Sequence, residues 1–188
     1  MKDLLLGIVQ GITEFLPISS SGHLILFNSF FQDSNIDIST LTLLHLGTLG
    51  SILFFYKSEV STILLHPLKE KNTLVKISIG ILPAGLIGIF TNLSEMINRS
   101  VNILLYTGAA YLVLSIVLYL SKNITEGEKN ILQITNIDAL YIGIAQATAL
   151  LPGISRAGIT LVVALLVGMK KKDALLFSFL LGIPTIGG

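Results

Sequence analysis

Not one cysteine occurs in the 188 residues. Disulfides, thiolate nucleophiles and cysteine-ligated zinc are thereby excluded, and a protein nucleophile must be Ser, Thr, His, Asp, Glu, Lys or Tyr. Charge is scarce too: 12% of the residues are charged against 52% hydrophobic, and the net charge is only +1. So slight a positive balance argues against a nucleic-acid partner. Together with a mean hydropathy of +0.83, it describes a membrane protein whose partner is the bilayer. The apolar N-terminus does not read as a cleaved signal, because Gln10, Glu14 and Pro17 interrupt it and no clear small-residue cleavage site follows.

What is present centres on Gly7-Ile-Val-Gln-Gly-Ile-Thr-Glu-Phe-Leu-Pro-Ile-Ser-Ser-Ser-Gly-His23. Gln10 and Glu14 are one helical turn apart and share a helix face. Pro17 stops that helix, since the residue before a proline is pushed out of the α region. Ser19, Ser20, Ser21, Gly22 and His23 follow before apolar sequence resumes at Leu24. A carboxylate, a break and a cluster of hydroxyls inside a membrane segment point to a polar ligand.

The stretch has a second copy. Moving Gly7 onto Gly143, a shift of 136 positions, lays Gly143-Ile-Ala-Gln-Ala-Thr-Ala-Leu-Leu-Pro-Gly-Ile-Ser-Arg-Ala-Gly158 on it without a gap. Gln10 meets Gln146, Ser19 meets Ser155 and Gly22 meets Gly158, whereas Glu14 meets Leu150, Ser20 meets Arg156 and His23 meets Ile159. One copy supplies an acid and a histidine, the other a cation. This is a duplicated scaffold whose halves took different roles at a shared site.

The remaining chain alternates apolar runs with polar loops: spans over 41–56, 77–91 (kinked at Pro83) and 103–120, loops over 32–39, 57–76, 92–102 and 122–138. Lysine placement puts 57–76, 122–138 and Lys170–Asp173 in the cytoplasm. The second motif then starts and ends inside, as a re-entrant hairpin broken at Pro152-Gly153, and the first forms a matching hairpin over 4–31 from the outer face. Nine of the twelve basic residues lie inside, leaving Lys2, Arg99 and Arg156 elsewhere. The expected fold is an all-α polytopic membrane protein and a single membrane domain over 1–188. It is an inverted-topology repeat, with 1–121 as the first half and 138–188 as an incomplete second. Each half places a re-entrant helix–loop–helix hairpin before transmembrane helices, and the broken tips meet near the midplane. The final run, Ala174 to Gly188, spans about 22 Å as a helix against a hydrocarbon core of about 30 Å. The chain is therefore expected to stop inside a span, as a C-terminally truncated form.

Arg156 at membrane depth costs about 3 kcal/mol, and an ionised Glu14 a similar amount. Each needs a partner, and one site can serve both. The planar fork of Arg156 suits phosphate, and helix N-termini behind Ser19–Ser21 and Ser155 direct unpaired N–H groups at the same anion. Glu14, with Gln10, suits a divalent cation, since Mg²⁺ takes one or two carboxylates plus substrate phosphates. His23 fits a general acid or base. The sum is a phosphoryl-transfer site facing lipid. Plainer readings compete: Gly7 and Gly11 as a helix-packing pair, a Glu14–Arg156 ion pair that only joins the hairpins, His45 as an interhelical hydrogen-bonder, and His66 as a solvated loop residue.

These residues resemble the undecaprenyl-diphosphate phosphatase (bacitracin-resistance) family. Its first signature, Glu/Gln-x-x-x-Glu with Phe-Leu-Pro and a serine-rich turn ending Gly-His, is Gln10 to His23 here; its second, Pro-Gly-x-Ser-Arg-Ser-x-x-Thr, is Pro152 to Thr160. The resemblance spans essentially the whole chain. It implies hydrolysis of undecaprenyl diphosphate to the monophosphate carrier of peptidoglycan synthesis, which confers bacitracin resistance. It also implies a divalent cation (Mg²⁺ or Ca²⁺), a multi-pass place in the bacterial plasma membrane, and a site opening outward. By position, Glu14, Ser20, His23, Ser155 and Arg156 form the catalytic set. Ser19, Ser21, Arg156 and Thr160 bind the diphosphate, and Glu14 with Gln10 holds the metal. A homodimer is one assembly open to such a chain. Three departures stand out: Gln10 replaces a glutamate, Ala157 replaces a serine, and the chain is shorter than the family's usual length. An inverted-repeat transporter or lipid flippase for an anion is the competing class, and the Glu–His–Ser–Arg set exceeds what anion binding needs.

Overall fold

The computed structural model describes residues 2–31, 38–91, 96–97 and 100–187. Among them the chain is helical apart from turns and one isolated bridge. The helices are α1 Lys2–Thr13, α2 Ser20–Phe30, α3 Ile38–Phe55, α4 Lys57–Leu65, α5 Lys71–Phe90, α6 Ile103–Ser121, α7 Asn136–Thr148, α8 Arg156–Leu166 and α9 Lys171–Gly187. The expected all-α class is the observed one.

Two helices, α5 and α6, are long and apolar enough to cross a bilayer, and α3 with α4 makes a third candidate bent by 81°. Large apolar side chains point outward along them, Phe54, Phe90 and Leu105 each being at least 70% exposed, as a lipid-facing surface requires. Boundaries differ from those expected. Residues 57–76 are not one loop, because α4 and the first turn of α5 occupy much of that stretch. The α5 span starts at Lys71 rather than Ile77 and stays helical through Pro83. Lys76 can sit inside it, buried, because its Nζ donates to the carbonyls of Ile131 and Leu132 at 2.9 and 2.8 Å. The last helix likewise begins at Lys171, not Ala174. The expected loops at 32–39 and 92–102 fall mostly outside the described residues.

The duplication is structural as well as sequential. Shifting α2 (20–30) by 136 positions gives 156–166, the bounds of α8. Both helices are N-capped by a serine accepting from the third residue on: Ser19 Oγ from Gly22 N at 3.4 Å, and Ser155 Oγ from Gly158 N at 3.1 Å. Each is preceded by a short helix and a break. At about 16–20 Å, α1, α2, α7 and α8 are all too short to span hydrocarbon singly.

A core sits where α7, α8 and α9 meet, with Ile142, Ala164, Met169, Phe177 and Leu181 fully buried or nearly so. Helix α7 reaches α5 through two facing glycines: a Cβ on Gly143 would lie 2.5 Å from Gly80 O, so only glycine permits this approach. The loop before α7 and the turn after α8 are joined directly. Lys129 N donates to Gly168 O at 3.0 Å and Lys170 N to Lys129 O at 2.9 Å. Ile131 N donates to the Asp173 carboxylate at 3.3 Å.

Candidate active site

The two broken tips pack on one another. A Cβ on Gly22 would lie 3.1 Å from Gly153 Cα, and one on Gly158 would lie 3.0 Å from Pro17 Cβ. Adding 136 to Gly22 and Pro17 gives Gly158 and Gly153, so each contact is the repeat image of the other. Each turn bends through a residue with positive φ: Ser19 at 63° in the first, Gly153 at 99° in the second. Ser19 is the only non-glycine in that region among the described residues, and such strain concentrates at working sites.

Helix α1 ends at Thr13, but Glu14 N still donates to Gln10 O at 2.9 Å, so the one-turn spacing brings the two side chains together. Gln10 Nε2 donates to Glu14 Oε2 at 3.1 Å, and Ser20 Oγ donates to the same oxygen at 2.5 Å. Arg156 Nη2 donates to Glu14 Oε1 at 2.8 Å from the opposite tip. Both partners are largely buried, their side chains 8% and 16% exposed. Two charges so placed are tolerable only as a pair.

These groups form the wall of a cavity of about 870 Å³. Glu14, Ser19, Ser20, Ser21, Ser155 and Arg156 all line it, so six of the residues singled out from the sequence share one space. The first turns of α2 and α8 face it from the two tips, bringing the positive ends of two helix dipoles. A carboxylate beside a serine hydroxyl, an arginine and two helix N-termini can bind an anion and activate a hydroxyl next to it.

Other residues land elsewhere. Thr160 is fully buried, donates to Arg156 O at 2.7 Å and shares a 2.6 Å hydrogen bond with Ser178; it does not line the cavity. His23 is also off the wall. Its Nδ1 lies 2.8 Å from both Ser19 O and the Tyr111 hydroxyl, with the two rings edge to face. Gln10 is buried beneath Glu14. His45 was expected to bond between helices, but its Nδ1 bonds within α3, to Leu41 O at 2.8 Å, and its side chain lines the cavity. Sequence reasoning did not place His45, Gln146 or Tyr111 at the site. Gln146 carried a signal, as the repeat mate of Gln10. Tyr111 carried none, lying within the plainest apolar span.

A divalent cation is compatible with this donor set. Gln10 Oε1 and Gln146 Oε1 are buried without a partner among the described residues, and such neutral oxygens together with the Glu14 carboxylate suit a hard cation whose coordination substrate phosphates complete. No group of three or more His, Asp or Glu side chains gathers among the described residues.

Comparison with known proteins gives one consistent result. The model of the family described as bacitracin resistance protein BacA matches residues 3–188. A protein named undecaprenyl-diphosphatase from Methanococcus maripaludis (strain C5) is 42% identical over 193 residues, covering 100% of this chain and 76% of that one. One of the same name from Thermosipho melanesiensis is 44% identical over 190 residues, covering 99% and 74%. A third, from Halothermothrix orenii, is 38% identical over 192 residues, covering 100% and 71%.

Proposed function

This chain belongs to the bacitracin resistance protein BacA family, and from that premise we propose that it hydrolyses undecaprenyl diphosphate to undecaprenyl phosphate and inorganic phosphate. The activity returns the lipid carrier to peptidoglycan synthesis and confers bacitracin resistance. The observation that carries this reading is the Ser20–Glu14–Arg156 chain of hydrogen bonds on the wall of one cavity. A transporter needs the anion site but not a hydroxyl held on a carboxylate, and the relatives are named as diphosphatases.

Ser20 Oγ already donates to Glu14, so Glu14 accepts its proton as the oxygen attacks the terminal phosphorus. The bond to the bridging oxygen breaks, and undecaprenyl phosphate leaves with that oxygen. Glu14 releases that proton to solvent and takes one from water as the water oxygen attacks the phosphoserine; inorganic phosphate leaves as the Ser20 Oγ–P bond breaks, and Glu14 returns the proton to Ser20 Oγ. Arg156, Ser19, Ser21 and Ser155 hold the phosphate oxygens, while Thr160 steadies the first turn of α8 and His23 supports the turn at Ser19. A cation held by Glu14 and Gln10 would supply charge neutralisation on the diphosphate.

The same reading places the protein in the bacterial plasma membrane as an inverted repeat with two re-entrant hairpins and a cavity opening outward. The bonds joining Lys129 and Ile131 to residues 168–173 support it, since they hold the chain before α7 close to the turn after α8. The reciprocal glycine contacts at the tips support the two-fold relation. The test is phosphate release from a long-chain polyprenyl diphosphate in detergent. The parent releases phosphate, and chelator or Glu14→Gln lowers the rate about a hundredfold or more. Retention of most of the rate in Glu14→Gln at saturating metal overturns the mechanism.

A further inference from the structure

We propose that His45, on the spanning helix α3, is the imidazole that contacts the diphosphate, with His23 acting behind the site. The inference rests on the hydrolase reading for its substrate and concerns a residue outside both sequence motifs. Three observations carry it. His45 lines the same cavity as Glu14, Ser20 and Arg156, whereas His23 does not. The orientation of His45 is set: Leu41 O can only accept, so the 2.8 Å bond places a proton on Nδ1 and leaves Nε2 for the cavity. The Nδ1 of His23 is likewise engaged, by Tyr111 and Ser19, but that ring does not line the cavity.

The third observation is charge. Glu14 and Arg156 pair at 2.8 Å and cancel. Of the other elements around the cavity, α2 presents serines, α5 only apolar residues, α7 Gln146 and α9 Thr185, none of them titratable. His45 is thus the one remaining titratable group on the wall among the described residues. With Nδ1 on Leu41 O, the Nε2 edge of this imidazole is the one placed to meet a diphosphate entering the cavity, by a hydrogen bond to a phosphate oxygen.

Two conservative variants separate this contact from a merely structural tether. Asparagine reproduces the position of Nδ1 and keeps the bond to Leu41 O but has nothing at Nε2. Glutamine reaches the position of Nε2 with an amide donor. In nanodiscs, His45→Asn should unfold at the parental temperature yet lower kcat/KM for polyprenyl diphosphate by roughly ten- to a hundredfold, the range of a hydrogen bond to a charged group. His45→Gln should recover most of that loss. Near-parental turnover in His45→Asn, or no recovery in His45→Gln, overturns the proposal. Inorganic diphosphate binding, measured by calorimetry without turnover, separates this from failure of the hydrolase reading. A tenfold weaker affinity in His45→Asn supports the contact even if the parent releases no phosphate. Equal affinity, or no binding by the parent, overturns it.

Discussion

At the scale of single residues, the site turns on a guanidinium that is only half used. Arg156 spends Nη2 on Glu14, while Nη1 is buried without a partner among the described residues. Nη1 packs against Gly182 of α9, where an added Cβ would collide with it, and the proposed phosphate role of Arg156 rests on its planar fork. Arg156→Lys keeps the charge beside Glu14 but removes that fork. Phosphate release should fall about a hundredfold or more, in line with loss of one aligned donor to a developing oxyanion. Near-normal turnover in this variant would assign Arg156 to joining the hairpins alone.

Helices and their ends come next. Helix α7 opens with a capping box, in which Thr135 Oγ1 accepts from Asp138 N at 3.1 Å and the Asp138 carboxylate accepts from Thr135 N at 2.8 Å. Lys129 adds an ion pair to Asp138 at 3.1 Å. Burial pushes the Asp138 carboxyl up, but the bonds from the Thr135 backbone and hydroxyl and from Lys129 outweigh it and hold the group below its ordinary value. A depressed folded-state pKa means stability that is present above the unfolded carboxyl's value and is lost as pH falls through the folded one. The thermal midpoint should therefore drop on acidification from the ordinary carboxyl value downward toward the depressed one, and Asp138→Asn should flatten that part of the profile. An unchanged profile in the variant would remove Asp138 from the pH response.

For the whole molecule, the decisive question is which ends share a side. The chain has no cysteine, so single introduced cysteines report cleanly. Lys71→Cys and Val101→Cys flank the α5 crossing and should label from opposite faces, whereas Lys122→Cys and Lys172→Cys should label from the same face as Lys71→Cys. Labelling of Lys172→Cys from the other face would mean that α7 and α8 together cross the membrane, and the re-entrant hairpin would be lost.

Much of this was legible in the chain itself. Scarce charge and long apolar runs impose helices in a bilayer, because every backbone amide must be paired within its own segment. Pro17 and Pro152-Gly153 end helices by sterics acting over neighbouring residues. The 136-position repeat aligned Ser19 with Ser155 and Gly22 with Gly158, and the structure makes the two serines equivalent caps of α2 and α8. These are short-range effects, and sequence alone carries them. It did not carry where amphipathic boundaries blur: residues 57–76 are polar enough to read as a loop, yet become α4 and the start of α5, with buried Lys76 satisfied by carbonyls 55 and 56 positions away. Nor did it sort the histidines and threonines, since Thr160 turned to Ser178, His23 to Tyr111, and His45 to the cavity. Those outcomes depend on which helices approach, and approach is governed by contacts between distant positions, Gly80 on Gly143 and Gly22 on Gly153. Local chemistry thus determined the class, the breaks and the polar inventory, while long-range packing alone decided which of those polar groups meet.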